Sequence, residues 1–277
     1  MTKNKPTRGD KAAESSIDIL QIERGTVEVC LLGTTPLVMN RLSEKVQRQL
    51  LLPVPKGRGR RSETTLKHDP LAEFQASPHR LEATDAATLL AFPCSGFKKA
   101  LMTAALDLPG ATRAQIGRLV LVHGETAPVF GVPQLFMRPV RGADIARTPD
   151  IRTRAILPAW ACRLAISFVK PLITPQAVVN LLAASGMIVG VGDGRPEKGA
   201  LTFGQFAIVA PDDPTFLAVL RDGGRATQTA AMDDPAFYDH LTAELYEWFE
   251  DELTRRQQRG DARTTTTAAS AATGAAS

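Results

Sequence analysis

The sequence predicts an α+β protein with a split β-α-β, ferredoxin-like (RRM-like) core, a long basic insertion, a hairpin and a C-terminal helix. Three observations predict it. Short apolar or alternating runs read as strands, and two well-signalled helices separate them. The order is strand, insertion, helix, strands, hairpin, strand, helix, Gly-rich loop, strand. Hydrophobic residues fill 44% of 277 positions, enough for one packed core over most of the length. The divisions that follow are a disordered leader at 1–16 and a core at 17–210 with insertions at 53–88 and 132–157. A helical extension at 211–260 and a disordered tail at 261–277 complete the chain.

The first strand is 25–33, with alternation around Val27, Val29 and Leu31, ended by Gly33 and Pro36. A short amphipathic helix is expected at 43–52, stopped by Pro53. Asp69-Pro70 and Ser77-Pro78 suggest irregular chain up to a short extended segment at 89–93. Ser95 is a good cap for a helix over 95–106, with Phe97, Leu101 and Ala105 at helical spacing. Residues 119–122 form a short buried strand. Segments 132–141 and 151–157 are extended and joined by a charged loop, and 160–169 alternates through Cys162, Leu164, Ile166 and Phe168. Thr174 and Pro175 open a second helix, with Val178, Leu181, Leu182 and Ser185 on one face and Gly186 as its stop. The last core strand is 205–209, and 235–256 is an amphipathic helix.

Cys30, Cys94 and Cys162 are scattered beside apolar residues, which predicts buried thiols in a reducing compartment. The polar N-terminus and the lack of any run near ~18 apolar residues predict a cytoplasmic protein without a membrane partner. Net charge is only +4, with a pI near 9.1, so its distribution matters more than its size.

Basic groups fall on four separate elements. Lys56, Arg58, Arg60 and Arg61 alternate with glycine in a segment that cannot bury a face, so it reads as a phosphate-contacting finger. Lys98 and Lys99 sit near a helix start, where cations oppose the macrodipole and an anion is the natural partner. Arg138, Arg141, Arg147, Arg152 and Arg154 cluster on the hairpin, with Asp144 and Asp150 as possible internal partners. Gly190, Gly192 and Gly194 with Arg195 and Lys198 describe a loop whose backbone can approach an anion while the cations neutralise it. That loop follows a helix and enters a strand, the reverse of dinucleotide and P-loop contexts. Cations drawn from several elements suit backbone tracking along a single strand.

No catalytic residue, metal site or cofactor is expected. His68, His79, His123 and His240 lack ligand spacing, and Asp193 reads as an ion pair or turn former. Aromatics are only 5%, which disfavours a sheet that stacks bases; Phe97, Phe130, Phe136 and Phe203 read as core.

The run Phe92-Pro93-Cys94-Ser95-Gly96-Phe97-Lys98-Lys99-Ala100-Leu101 resembles the Pro-x-Ser-x-x-Lys-x-x-Leu segment that opens the first helix of repeat-associated mysterious proteins (RAMPs). The stretch from Gly190 to Phe206 resembles that superfamily's Gly-rich loop before its last core strand. The likeness spans roughly 27–209 and is closest to the backbone subunits of CRISPR effector complexes, proteins of antiviral defence. It implies a subunit that stacks with its own copies along guide RNA, beside other effector subunits. It also implies a thumb at 132–157 and backbone phosphate contacts from Lys98, Lys99, Arg195 and Lys198. Asp193 and Glu197 in the loop depart from the pattern, and the early carboxylate of cleaving members has no counterpart. A phage or mobile-element protein that coats single-stranded DNA or RNA without a guide, a RAMP endoribonuclease using His68, His123 or Asp193, and a virion assembly protein are the alternatives.

Overall fold

Alternation around Val27, Val29 and Leu31 produces the central strand of the structure, a computed structural model that describes residues 19–41, 68–141, 149–198 and 201–273. In chain order the elements are β1 (Glu23–Gly33), β2 (Leu37–Val38), α1 (Pro70–Ala76), β3 (His79–Arg80), β4 (Leu90–Pro93), α2 (Cys94–Ala104) and α3 (Arg113–Leu119). Next come β5 (Val120–Val122), β6 (Thr126–Phe130), β7 (Gln134–Arg141), β8 (Pro149–Leu157), β9 (Ala161–Lys170) and α4 (Pro175–Ile188). A 3-10 turn (Pro196–Lys198), β10 (Phe206–Val209), α5 (Pro214–Asp222), α6 (Arg225–Asp233) and α7 (His240–Thr273) complete the chain. The leader, the expected helix at 43–52, the finger with Lys56, Arg58, Arg60 and Arg61, and Arg147 lie outside the described residues.

The main sheet runs β10-β1-β9-β6-β4-β3, with β5 also paired to β9. β1 is antiparallel to both neighbours, from Glu23↔Lys170 to Leu32↔Ala161 on one side and Cys30↔Val209 to Gly33↔Phe206 on the other. The strand order is therefore interleaved. β9 lies between β1 and β5, strands separated in the chain by β2, α1, β3, β4, α2 and α3, and β1 lies between β9 and β10, which α4 connects. The expected α+β class holds.

Both helices bury one stripe on this sheet. Phe97, Ala100, Leu101 and Ala104 of α2 and Val178, Leu181 and Leu182 of α4 meet Val29, Leu31, Leu164, Ile166 and Phe168 in one core. Two local expectations change. The cap of α2 is Pro93, which offers no side-chain hydrogen bond, so Ser95 lies inside the first turn. Gly186 does not stop α4, which continues to Ile188; a Cβ there would strike the Phe206 carbonyl, so the glycine serves close approach of helix and strand.

A second sheet, β2-β8-β7, holds the expected hairpin, in register from Gln134↔Ile156 to Arg141↔Pro149. Its base is built into the core through Leu135, Ala155 and Leu157. Chain at 236–238 covers the outer edge of β7, through Leu135 N–H to Ala236 O at 2.9 Å and Tyr238 N–H to Leu135 O at 2.9 Å. Asp69-Pro70, expected to be irregular, starts α1. Asp69 Oδ1 accepts the Ala72 N–H at 3.0 Å, and proline is tolerated in a first turn because its missing donor is unused there.

The extension holds three helices where one was expected. Phe216 of α5 packs on Cys30 and Ala161. α7 runs beyond Gly260 to Thr273, where disorder was expected; no proline interrupts 240–273, and alanine favours helix. No helix among the described residues is long and apolar enough to cross a membrane.

All three cysteines are buried and reduced. Burial, aided by Cys94 and Cys30, pushes the Cys162 thiol far up, and burial raises Cys94. Since only thiolate reacts, Cys162 should stay unalkylated in native protein at mild alkaline pH and react once denaturant is added, as read by mass spectrometry. Native labelling at Cys162 would contradict this packing.

Candidate nucleic-acid interface

The glycine loop is shaped by its backbone. Gly190, Gly192 and Gly194 have φ of +70, +79 and +68°, a region that side chains rarely enter. A Cβ on Gly192 would also lie 2.6 Å from the Val38 carbonyl. Asp193 N–H donates to Val38 O at 3.0 Å and Val191 N–H to Gly204 O at 2.9 Å, while Gly194 N–H bonds the Asp193 carboxylate at 3.0 Å. These amides are held by protein acceptors, so they are not presented to an anion. For Gly192 and Gly194 the conformation itself is a sufficient reason for glycine.

The donors sit across from the loop, at the start of α2. Cys94 N–H bonds Glu125 O at 2.9 Å, but no side chain caps this helix, and the Ser95 and Gly96 amides have no protein acceptor among the described residues. Such donors carry the positive end of the helix dipole. They open on a cleft of about 300 Å³ lined by Ser95, Gly96 and Lys99 on one side and by Gly192, Asp193, Arg195 and Glu197 on the other. Met39, Asn40, His79 and Phe92 are among its other lining residues. Burial and the Arg41 charge hold His79 below the usual imidazole range, so it faces the cleft uncharged at neutral pH.

The expected cations divide into groups. Lys99 lines the cleft, exposed and without an ion-pair partner among the described residues. Lys98 is half-buried and outside the lining, because adjacent helical residues point ~100° apart. Arg195 lines the cleft, with its guanidinium 2.8 Å from Glu197 and bonded to Gly192 O at 2.9 Å. Lys198 is exposed and 3.5 Å from the same carboxylate.

On the hairpin, Arg138 stands opposite Arg152, and Phe136 opposite Arg154, on one face. Arg152 is exposed and has no ion-pair partner among the described residues. Arg138 lies 5.2 Å from the Phe136 ring centre and 3.4 Å from Asp239. Asp144 lies outside the described residues; the acids that Arg138 and Arg154 meet among the described residues are Asp239 and Asp193. Arg141 pairs in register with Pro149. Arg154 is 9% exposed and 2.6 Å from Asp193, which ties the hairpin face to the cleft wall. Its pKa is lowered chiefly by burial, against the raising effect of Asp193, with Arg152 lowering it further.

The groups weighed for acid–base work are engaged elsewhere. His68 sits 2.7 Å from Glu73 and 3.0 Å from Asp150, and His123 is 2.6 Å from Ser167 Oγ. Asp193 is the ion pair read from sequence, although its partner is Arg154 rather than Arg195. Met39, Asn40 and His79 were missed as lining residues: they are remote from the motif in sequence, and only the fold brings them to it.

No family model matches the chain, and no curated protein matches it. Among solved structures, the crystal structure of Cmr6 from Pyrococcus furiosus is similar at 10% sequence identity and a TM-score of 0.36, with 69% of this chain and 100% of that chain covered.

Proposed function

We propose that this chain is a RAMP-like subunit that holds single-stranded nucleic acid by its phosphate backbone, RNA in preference to DNA, and lines up with copies of itself along the strand. The observation that carries the reading is one cleft in which an uncapped helix start and Lys99 face a glycine loop bearing Arg195. Amide donors plus a cation, with room for one anionic group, make a phosphate seat that carries no sequence information. The interleaved strand order supports a ferredoxin-like core, and the motif residues Pro93 and Ser95 reach the cleft. Arg152 and Arg138, joined to the cleft through Arg154 and Asp193, extend the electropositive path. On the resemblance, the strand is a guide RNA, and the chain grips it without cleaving it.

The test is fluorescence anisotropy of labelled single-stranded RNA and DNA across a salt series. The logarithm of affinity should fall linearly with that of salt, with a slope of roughly 2, because each neutralised phosphate on a single strand contributes about 0.7. A flat salt dependence would end the reading. Recovery of cut RNA, with cutting abolished by His79→Ala, would move it to the nuclease class.

A further inference from the structure

Expected from its position on the hairpin to touch a phosphate, Arg154 lies too deep for that. It is 9% exposed, it does not line the cleft, and its Nε is buried without a hydrogen-bond partner among the described residues. What it does touch is a carboxylate that lines the cleft: its Nη1 is 2.6 Å from Asp193 Oδ2. The other bonds to that carboxylate are weaker or neutral, from Asn40 Nδ2 at 3.3 Å and the Gly194 N–H at 3.0 Å. The loop does not need the carboxylate to hold its register, because the Asp193 backbone already bonds to Val38.

An acid in the wall of a phosphate seat repels the ligand unless it is cancelled. Glu197 is cancelled at the surface by Arg195 and Lys198. Among the described residues Asp193 has one ion-pair partner, and that cation comes from behind, out of reach of the strand. We infer that Arg154 is a positioning residue for strand binding, acting through Asp193 by cancelling its charge and not by contact with the nucleic acid. The inference rests on the strand-binding reading above. It makes the hairpin and the glycine loop an electrostatic unit: one supplies the acid and the other its counter-ion.

The experiment compares wild type, Arg154→Met and Arg154→Met/Asp193→Asn for binding to a labelled single-stranded RNA, with thermal melts to establish folding. Arg154→Met should weaken binding about tenfold, because it bares Asp193 to the strand, and the double variant should return to within about threefold of wild type. The salt slope of the double variant should equal that of wild type. If Arg154 touches a phosphate, the double variant stays weak and its slope drops by about 0.7, which overturns the inference. The double variant decides the matter even if Arg154→Met does not fold, since removing both charges leaves no buried ion unpaired. Wild type that binds no strand overturns the functional reading and this inference together; wild type that binds, with an unrescued double variant, overturns the inference alone.

Discussion

Replacing Lys99 with glutamate should lower affinity for single-stranded RNA by about 10- to 100-fold at low salt while leaving the fold intact. A charge-assisted hydrogen bond is worth about 1.5–3 kcal/mol, and each 1.4 kcal/mol is a factor of ten. Reversing the charge adds repulsion to the loss. Lys99 is exposed and makes no ion pair among the described residues, so the change should move stability by no more than about 0.5 kcal/mol. The discriminating control is Lys98→Glu. That residue carries the same charge one position away, on a side of α2 that does not line the cleft, and should weaken binding less than about threefold. Equal losses from both would mean that diffuse positive charge, and not this cleft, attracts the strand. A loss confined to Lys98 would make the motif lysine the contact and place the strand on another face of α2.

That contrast shows how far the site was legible in the sequence. Two adjacent lysines read as one basic feature on paper, whereas a helix sends them to different surroundings. Spacing could have revealed this: Lys99 is three residues beyond Gly96 and four beyond Ser95, the positions that lie one turn earlier on the same face. Counter-ions were mostly illegible: Asp193 reads as an ion pair beside Arg195, but its actual partner, Arg154, does not show in the sequence. Glu197, Asp193 and Asp239 reach Arg195, Arg154 and Arg138, and the last two acids approach the hairpin from chain 39 and 101 positions away. Nothing local in the hairpin announces them, and its own acids, Asp144 and Asp150, drew attention instead.

Legibility of the fold followed the same division. Elements with a strong local period were readable, as Leu164, Ile166 and Phe168 on β9 and Val178, Leu181 and Leu182 on α4 show. Proline and glycine misled where tertiary packing reassigned them: Pro70 opens a helix that looked like a loop, and Gly186 lets α4 run on against β10. The largest gap is the region after β10. Gln228 sits in Thr-Gln-Thr-Ala-Ala-Met-Asp-Asp, a stretch that reads as solvated surface, yet it is fully buried. Only the placement of α6 against β4 and β6 makes it an interior residue.

Gln228→Met should therefore destabilise the protein by at least about 4 kcal/mol, the largest effect expected of any change outside the apolar core. The Gln228 Oε1 accepts the Leu89 and Leu90 N–H groups at 2.8 and 2.9 Å. Its Nε2 faces the carbonyls of Val129, Gly131 and Gly223 at 2.8, 3.1 and 3.0 Å, two protons shared among three acceptors. One side chain thus satisfies backbone groups on β4, β6 and the turn before α6. Methionine keeps the length but strands several of these groups, each at about 1–3 kcal/mol when buried. At roughly 2–4 °C per kcal/mol for a domain of this size, the melting midpoint should drop by about 10 °C. Gln228→Glu separates hydrogen bonding from packing, because it keeps the acceptor and sets a second oxygen against three carbonyls. A carboxyl there tolerates only its protonated form, so its folded pKa is raised above the unfolded value of about 4.3. Its relative stability should then be greatest below that value and be lost as pH rises, the opposite of a paired carboxylate. A Gln228→Met protein that melts like wild type, or a Gln228→Glu protein indifferent to pH, would mean that α6 does not lie where its hydrogen bonds place it.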